Sequence, residues 1–151
     1  MENTNEMQMM FDGKSSNESF VRVAVAAFMT ALNPTVEEVS DVKTAVSEAV
    51  TNAIIHGYEG EVHKICIRCR TEGRTLFLEI EDYGKGMENV EQAMEPLFTT
   101  KPELERSGMG FSFMEAFMDH LEVKSEPGKG TLVKMEKTIG KGRRLWTAQL
   151  F

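Results

Sequence analysis

The stretch SEAVTNAIIHGYEG, residues 47–60, decides how the rest of the chain is read. With the residues just before it, it sets Val42, Ala45, Val46, Ala49, Val50, Ala53 and Ile54 at spacings of three and four, the stripe of a helix laid on a core. Glu48 and Asn52 lie four apart, so they stack on the face beside that stripe. A carboxylate next to apolar neighbours is costly to desolvate unless something polar occupies the space above it. Two readings are open at this point. The pair lines the rim of the helix in water, or it faces an ion or a phosphate. A glutamate can take the proton of an attacking hydroxyl, and an asparagine oxygen is a hard ligand suited to Mg²⁺, so the second reading points to phosphoryl transfer.

Outward from this stretch, Thr35 with Glu38 makes a capping-box signature, and the helix is expected to run toward His56 with Gly57 as its stop. Before it, NESFVRVAVAAFMTAL predicts a first helix with Phe20, Val23, Ala24, Ala27, Phe28 and Ala31 as its apolar face and Ser16 or Asn17 as its N-cap. After it, alternating segments over 62–71 and 75–82 flank the turn-like EGR and predict an antiparallel pair. Residues 88–107 hold two prolines and no sustained period, which suggests a long lid-like connection with short helical pieces. GFSFMEAFMDHL restores the helical period, and LEVKSE and GTLVKMEK form a last strand pair around PGKG. The order implies an α+β sandwich, with helices packed on one face of a mixed, mostly antiparallel sheet. A chain of 151 residues suits one domain, drawn here as 15–138 between an N-terminal segment, 1–14, and a C-terminal tail, 139–151.

Composition removes several classes of function. A net charge of -7 argues against direct binding to nucleic acid, and the basic cluster Lys141, Arg143 and Arg144 reads as a solvated tail. No apolar run is long enough for a membrane helix, and the first residues do not resemble a secretion leader, so the expected location is the cytoplasm. Cys66 and Cys69 form a single C-x-x-C, but strand alternation points the two thiols to opposite faces, against a shared metal or an unstrained disulfide.

Three further motifs bear on the open question. EDYGKGM ends a strand with Asp82 followed by Gly84 and Gly86; an acid there can accept from an exocyclic amino group, which adenine has and guanine lacks at the same position, while the glycines admit a flat base. RSGMGF sets Gly108 and Gly110 at a helix start, where free N–H groups favour a phosphate. GKGT contributes Gly128, Gly130 and Thr131 to what is most simply a hairpin turn. Each has an ordinary structural alternative, but their order along the chain is the one a single nucleotide site needs.

These residues resemble the GHKL ATPase superfamily, whose N, G1, G2 and G3 boxes match EAVTNAIIHG, DYGKG, GMG and GT. Within it the chain is similar to the anti-sigma factor kinases over roughly residues 7–137. The resemblance implies a Bergerat-type sandwich with an ATP lid, and ATP or ADP with Mg²⁺ as cofactors. It makes Glu48 the residue that activates a substrate hydroxyl, Asn52 the Mg²⁺ ligand and Asp82 the adenine reader. Gly84, Gly86, Gly108 and Gly110 would shape the pocket, with Thr131 near the base and Thr99, Thr100, Lys101 and Arg106 in the lid near the phosphates. Glu18 and Arg22 match the positions used at the family's partner surface. The implied activity is that of a protein-serine kinase which holds sporulation sigma factor F from RNA polymerase and phosphorylates an anti-anti-sigma factor, as a homodimer. Alternatives are a stress-response kinase for another sigma factor, and a nucleotide-dependent binding module without kinase activity. His56, inside the N box, is expected to be structural rather than a phosphate acceptor. Two features depart from the family: Met87 stands where isoleucine is common, and the ending GRRLWTAQLF has no match.

Overall fold

The computed structural model describes residues 3–59, 61–95 and 110–140. Five strands make one sheet in the order β1-β2-β3-β5-β4, and all four pairings are antiparallel. They are β1 (Thr4–Asp12), β2 (Lys64–Glu72), β3 (Thr75–Asp82), β4 (His120–Glu126) and β5 (Gly130–Thr138). The helices α1 (Ser15–Met29), α2 (Val36–Asn52) and α4 (Gly110–Phe117) enclose the core against the sheet; the short α3 (Val90–Ala93) lies between β3 and α4 in sequence.

The expected hairpins are present. Gly73, at φ 59°, turns β2 into β3, and Gly128, at φ 80°, lies in the turn from β4 to β5. Alternation sends Ile65, Ile67 and Cys69 of β2, Leu76, Leu78 and Ile80 of β3, and Val133 and Met135 of β5 into one core. Cys69 is therefore apolar filling, with burial pushing its thiol up to about 12. Cys66 lies on the opposite face, where the Arg68 guanidinium covers its sulfur at 3.3 Å, and both thiols are free.

α2 starts as its sequence requires. The Thr35 hydroxyl accepts the Glu38 N–H at 3.1 Å, and the Glu38 carboxylate accepts the Thr35 N–H at 2.8 Å. Val42, Ala45, Val46, Ala49 and Val50 are its buried stripe. The end differs from expectation. The α-helix stops at Asn52, and Ala53–Gly57 widen into a π-turn in which the Tyr58 N–H bonds to the Ala53 carbonyl.

Expectations for α1 and for the N-terminal segment are overturned. In α1 the buried face is Val21, Val25 and Met29, while Phe20 and Val23 are 62% and 56% exposed. The segment VAVAAF is apolar nearly all round, so spacing alone selects no side; the docking of α1 on α2 does. The N-cap is Lys14 rather than Ser16 or Asn17, and the Asn17 side chain instead donates to the Asp12 carbonyl at 2.8 Å. The second correction concerns the N-terminal segment. Thr4–Asp12 is an edge strand of the sheet, paired with β2 from Thr4↔Glu72 to Asp12↔Lys64, and Phe11 belongs to the core.

Candidate nucleotide site

Strand register places one row of residues across the inner face at the end of β3. Asp82 is opposite Thr131 of β5, and Thr131 is opposite Ser125 of β4. The row is polar where the neighbouring rows are apolar, and its Asp82 and Thr131 line a cavity of about 640 Å³, within the usual range for small-molecule sites. Asn52, Asp82, Gly86, Gly110 and Thr131, five of the residues singled out in the sequence, line this cavity together.

Asp82 is 5% exposed. Burial pushes its carboxyl above the ordinary range, while the N–H groups of Gly84 and Thr131 pull the other way. The Gly84 N–H reaches Oδ1 at 3.0 Å. Its remaining lone pairs are acceptors for a ligand N–H.

α2 and the start of α4 line the same cavity. A methyl group placed on Gly110 would come within 3.2 Å of Asn52 Nδ2 and 3.3 Å of both Asn52 Oδ1 and Glu48 Oε2. Glu48 and Asn52 thus converge on Gly110, and a side chain there would require both to shift by a few tenths of an ångström. Glu48 stands behind Gly110 rather than in the cavity lining. Asn52 supplies an oxygen at the wall, and among the described residues no group of three or more His, Cys, Asp or Glu could hold a metal alone. That donor set fits Mg²⁺, which keeps several waters and is shared with substrate phosphates rather than caged by protein.

The glycines of the first loop act differently from expectation. A methyl on Gly84 would lie 2.0 Å from the Gly57 carbonyl oxygen, and one on Gly86, at φ 72°, 2.0 Å from the Glu126 carbonyl oxygen. Their first role is to let three backbone segments touch, and Gly84 lies in a neighbouring groove rather than in the cavity. Hydrogen bonds join the same segments. The Lys85 N–H donates to the Gly57 carbonyl, the Gly128 N–H to the Lys85 carbonyl, and the Met87 N–H to Ser125 Oγ. The Tyr58 hydroxyl accepts the Tyr83 N–H at 2.8 Å and donates to the Lys64 carbonyl. The π-turn ends at Gly57, whose carbonyl lies in this junction.

Sequence reasoning missed Gly57, Tyr58 and Ser125. Ser125 had a readable signal, because alternation with Leu121 and Val123 puts its hydroxyl on the inner face, where it needs partners. Gly57 read as a helix stop. Thr99, Thr100, Lys101, Arg106 and Gly108 lie outside the described residues. Glu18 and Arg22 are apart from the cavity, on α1, and pair at 3.5 Å. His56 lines the cavity beside Asn52.

Comparison with known proteins assigns the class. The family model described as "Histidine kinase-like ATPase domain" matches residues 15–137. The anti-sigma F factor of Thermoanaerobacter sp. (strain X514) is 59% identical over 140 residues, 93% of this chain and 98% of that protein. The anti-sigma F factor of Clostridium acetobutylicum is 58% identical over 133 residues, 88% of this chain and 93% of its own. The chain belongs to the histidine kinase-like ATPase family and, within it, to the anti-sigma F factors. Among solved structures, the RsbU and RsbW domains of Rv1364c from Mycobacterium tuberculosis superpose with a TM-score of 0.64 at 18% identity, covering 89% of this chain and 32% of that one. A histidine kinase domain from Erythrobacter litoralis gives 0.53 at 17% identity, covering 85% of this chain and 64% of that one. Both share the fold. No helix among the described residues is long and apolar enough to cross a membrane.

Proposed function

We propose that the chain is an anti-sigma factor and protein-serine kinase, which binds sporulation sigma factor F and phosphorylates a serine of its anti-anti-sigma factor with Mg-ATP. The observation that carries this reading is the convergence of Glu48 and Asn52 on Gly110, which with Asn52, Asp82 and Thr131 lines one cavity. Asp82 and Thr131 bind the base, and the Asn52 oxygen holds Mg²⁺, which when bound neutralises charge on the phosphates. Glu48 takes the proton of the serine hydroxyl as its oxygen bonds to the γ-phosphorus and the bond to the ADP oxygen breaks. Thr99, Thr100, Lys101, Arg106 and Gly108 lie outside the described residues; the family resemblance assigns them to the phosphates, with Lys101 or Arg106 spreading the developing charge.

Partner binding falls on α1, with Glu18 and Arg22 as its polar contacts. A homodimer is supported by two features. β1 is an edge strand whose outer backbone has no strand partner among the described residues, and α1 exposes Phe20 and Val23.

The test is Glu48→Gln with labelled ATP and the anti-anti-sigma factor. General-base loss lowers transfer by roughly 10²- to 10⁴-fold while ADP binding persists. Transfer at the normal rate removes Glu48 from the mechanism. If the unaltered protein binds its sigma factor but moves no label, the chain is a binding module.

A further inference from the structure

Ser125 was assigned no role by the motifs, yet its hydroxyl is the most heavily used side chain near the base end of the cavity. Its Oγ is 2.8 Å from the Met87 nitrogen, 3.0 Å from the Gly130 carbonyl oxygen and 2.8 Å from Thr131 Oγ1. A serine hydroxyl has one proton and two lone pairs. The Met87 N–H can only donate, so it takes one lone pair. The Gly130 carbonyl can only accept, so it takes the Ser125 proton. The contact with Thr131 is then a hydrogen bond only if Thr131 gives its own proton to the last lone pair. One arrangement of protons satisfies all three contacts.

The consequence lies one residue further on. With its proton committed to Ser125, the Thr131 hydroxyl offers a ligand nothing but lone pairs. Asp82, directly opposite Thr131 across the β3–β5 pair, also offers only lone pairs while ionised. We infer that Ser125 is a specificity-determining positioning residue: it fixes the Thr131 hydroxyl as an acceptor, so that Thr131 and Asp82 together demand an amino group on the base and reject a carbonyl. Without that constraint a threonine hydroxyl rotates and serves a donor or an acceptor equally well. A site whose buried polar groups all have one sign discriminates strongly, because the wrong ligand leaves them unpaired.

The inference rests on the nucleotide reading above, and the experiment separates the two. ADP and inosine diphosphate, which carries a carbonyl where ADP has its amino group, are titrated calorimetrically into the nucleotide-free protein and its variants. Ser125→Ala frees the Thr131 proton and is expected to lower the ADP-to-IDP preference by about five- to tenfold, the size of one hydrogen bond. Ser125→Thr keeps the hydroxyl and restores the preference. Adding Ser125→Ala to Thr131→Val changes the preference no further, since Ser125 acts through the Thr131 proton. An unchanged preference in a Ser125→Ala variant that still binds ADP overturns the inference and leaves the nucleotide site standing. Failure of the unaltered protein to bind either nucleotide overturns both. Should Ser125→Ala not fold, neutron diffraction from the unaltered, deuterated protein decides: a Thr131 deuteron on the line to Ser125 supports the inference, and one pointing into the cavity refutes it.

Discussion

Gly57→Ala is the substitution for which the structure gives the sharpest expectation. The added methyl would sit 2.8 Å from Asp82 Oδ1 and 3.0 Å from Oδ2, so the carboxylate must withdraw by about 0.6 Å to restore the 3.4 Å of ordinary contact. It has little room to do so. Asp82 is 5% exposed, and it is held by the Gly84 N–H at 3.0 Å and by the N–H of Thr131. Movement of that size strains these bonds in the free protein and, on binding, costs the charge-assisted bond from the base's amino group to the displaced carboxylate, a loss of roughly 1.5–3 kcal/mol in affinity. ADP affinity should fall by roughly ten- to a hundredfold. Stability should change less, because alanine restricts the unfolded chain and suits a helical turn better than glycine by roughly 1 kcal/mol, which offsets part of the strain. Calorimetric titration with ADP and urea unfolding of the same samples measure the two effects. A folded Gly57→Ala protein that binds ADP within threefold of normal would mean that Gly57 is only a helix stop, as its sequence position suggests, and that the Asp82 position does not govern the base.

The burial of Asp82 also gives a pH dependence. Its carboxyl is raised in the folded state from an ordinary value near 3.8, so the folded protein keeps a proton that the unfolded chain has released. Without nucleotide, stability therefore falls as pH rises from about 3.8 through the raised value and is level above it; Asp82→Asn removes this slope from urea unfolding measured across pH. ADP affinity runs the opposite way, weakening on acidification as the acceptor carboxylate becomes protonated, and a flat profile through the acid range would exclude Asp82 as the base reader. Lys137→Met tests the far end of α4. Lys137 Nζ donates to the Phe117 carbonyl at 2.6 Å and lies 3.7 Å from Asp41 of α2, so its loss should cost about 1–3 kcal/mol in urea unfolding, and a change below about 0.3 kcal/mol would make the contact incidental.

The parts of this molecule that were legible in its sequence are those fixed within a few residues. The Thr35–Glu38 box needs only three positions and a helix to follow, and it forms as written. The two hairpins are set by turn glycines between alternating strands, and the stripe Val42 to Val50 by period alone. β1 escaped because methionine is a weak strand signal and because Met10 interrupts the alternation of Met7, Met9 and Phe11. α1 was turned the wrong way because a helix apolar on most sides carries no phase; its burial is chosen by α2, which is distant in sequence.

The same division explains why the candidate site was found by its motifs but misread in its workings. Glu48 and Asn52 are an i,i+4 pair, so their juxtaposition is local, and their close meeting with Gly110 is eased by a residue without a side chain. The base end is different in kind. Gly84 is set by the Gly57 carbonyl, Gly86 by the Glu126 carbonyl, and Gly130 by the Asp82 carbonyl, each partner coming from another segment. A glycine in the sequence signals that something comes close without saying what. The π-turn that brings Gly57 there has no sequence signature, and the proton of Thr131 is directed by a serine on a different strand. The motif residues mark where a nucleotide would lie, while the rule for which base is admitted resides in the contacts between loops. Substitution of Ser125 should therefore change base preference, and substitutions at Glu48 should change transfer at nearly constant base preference.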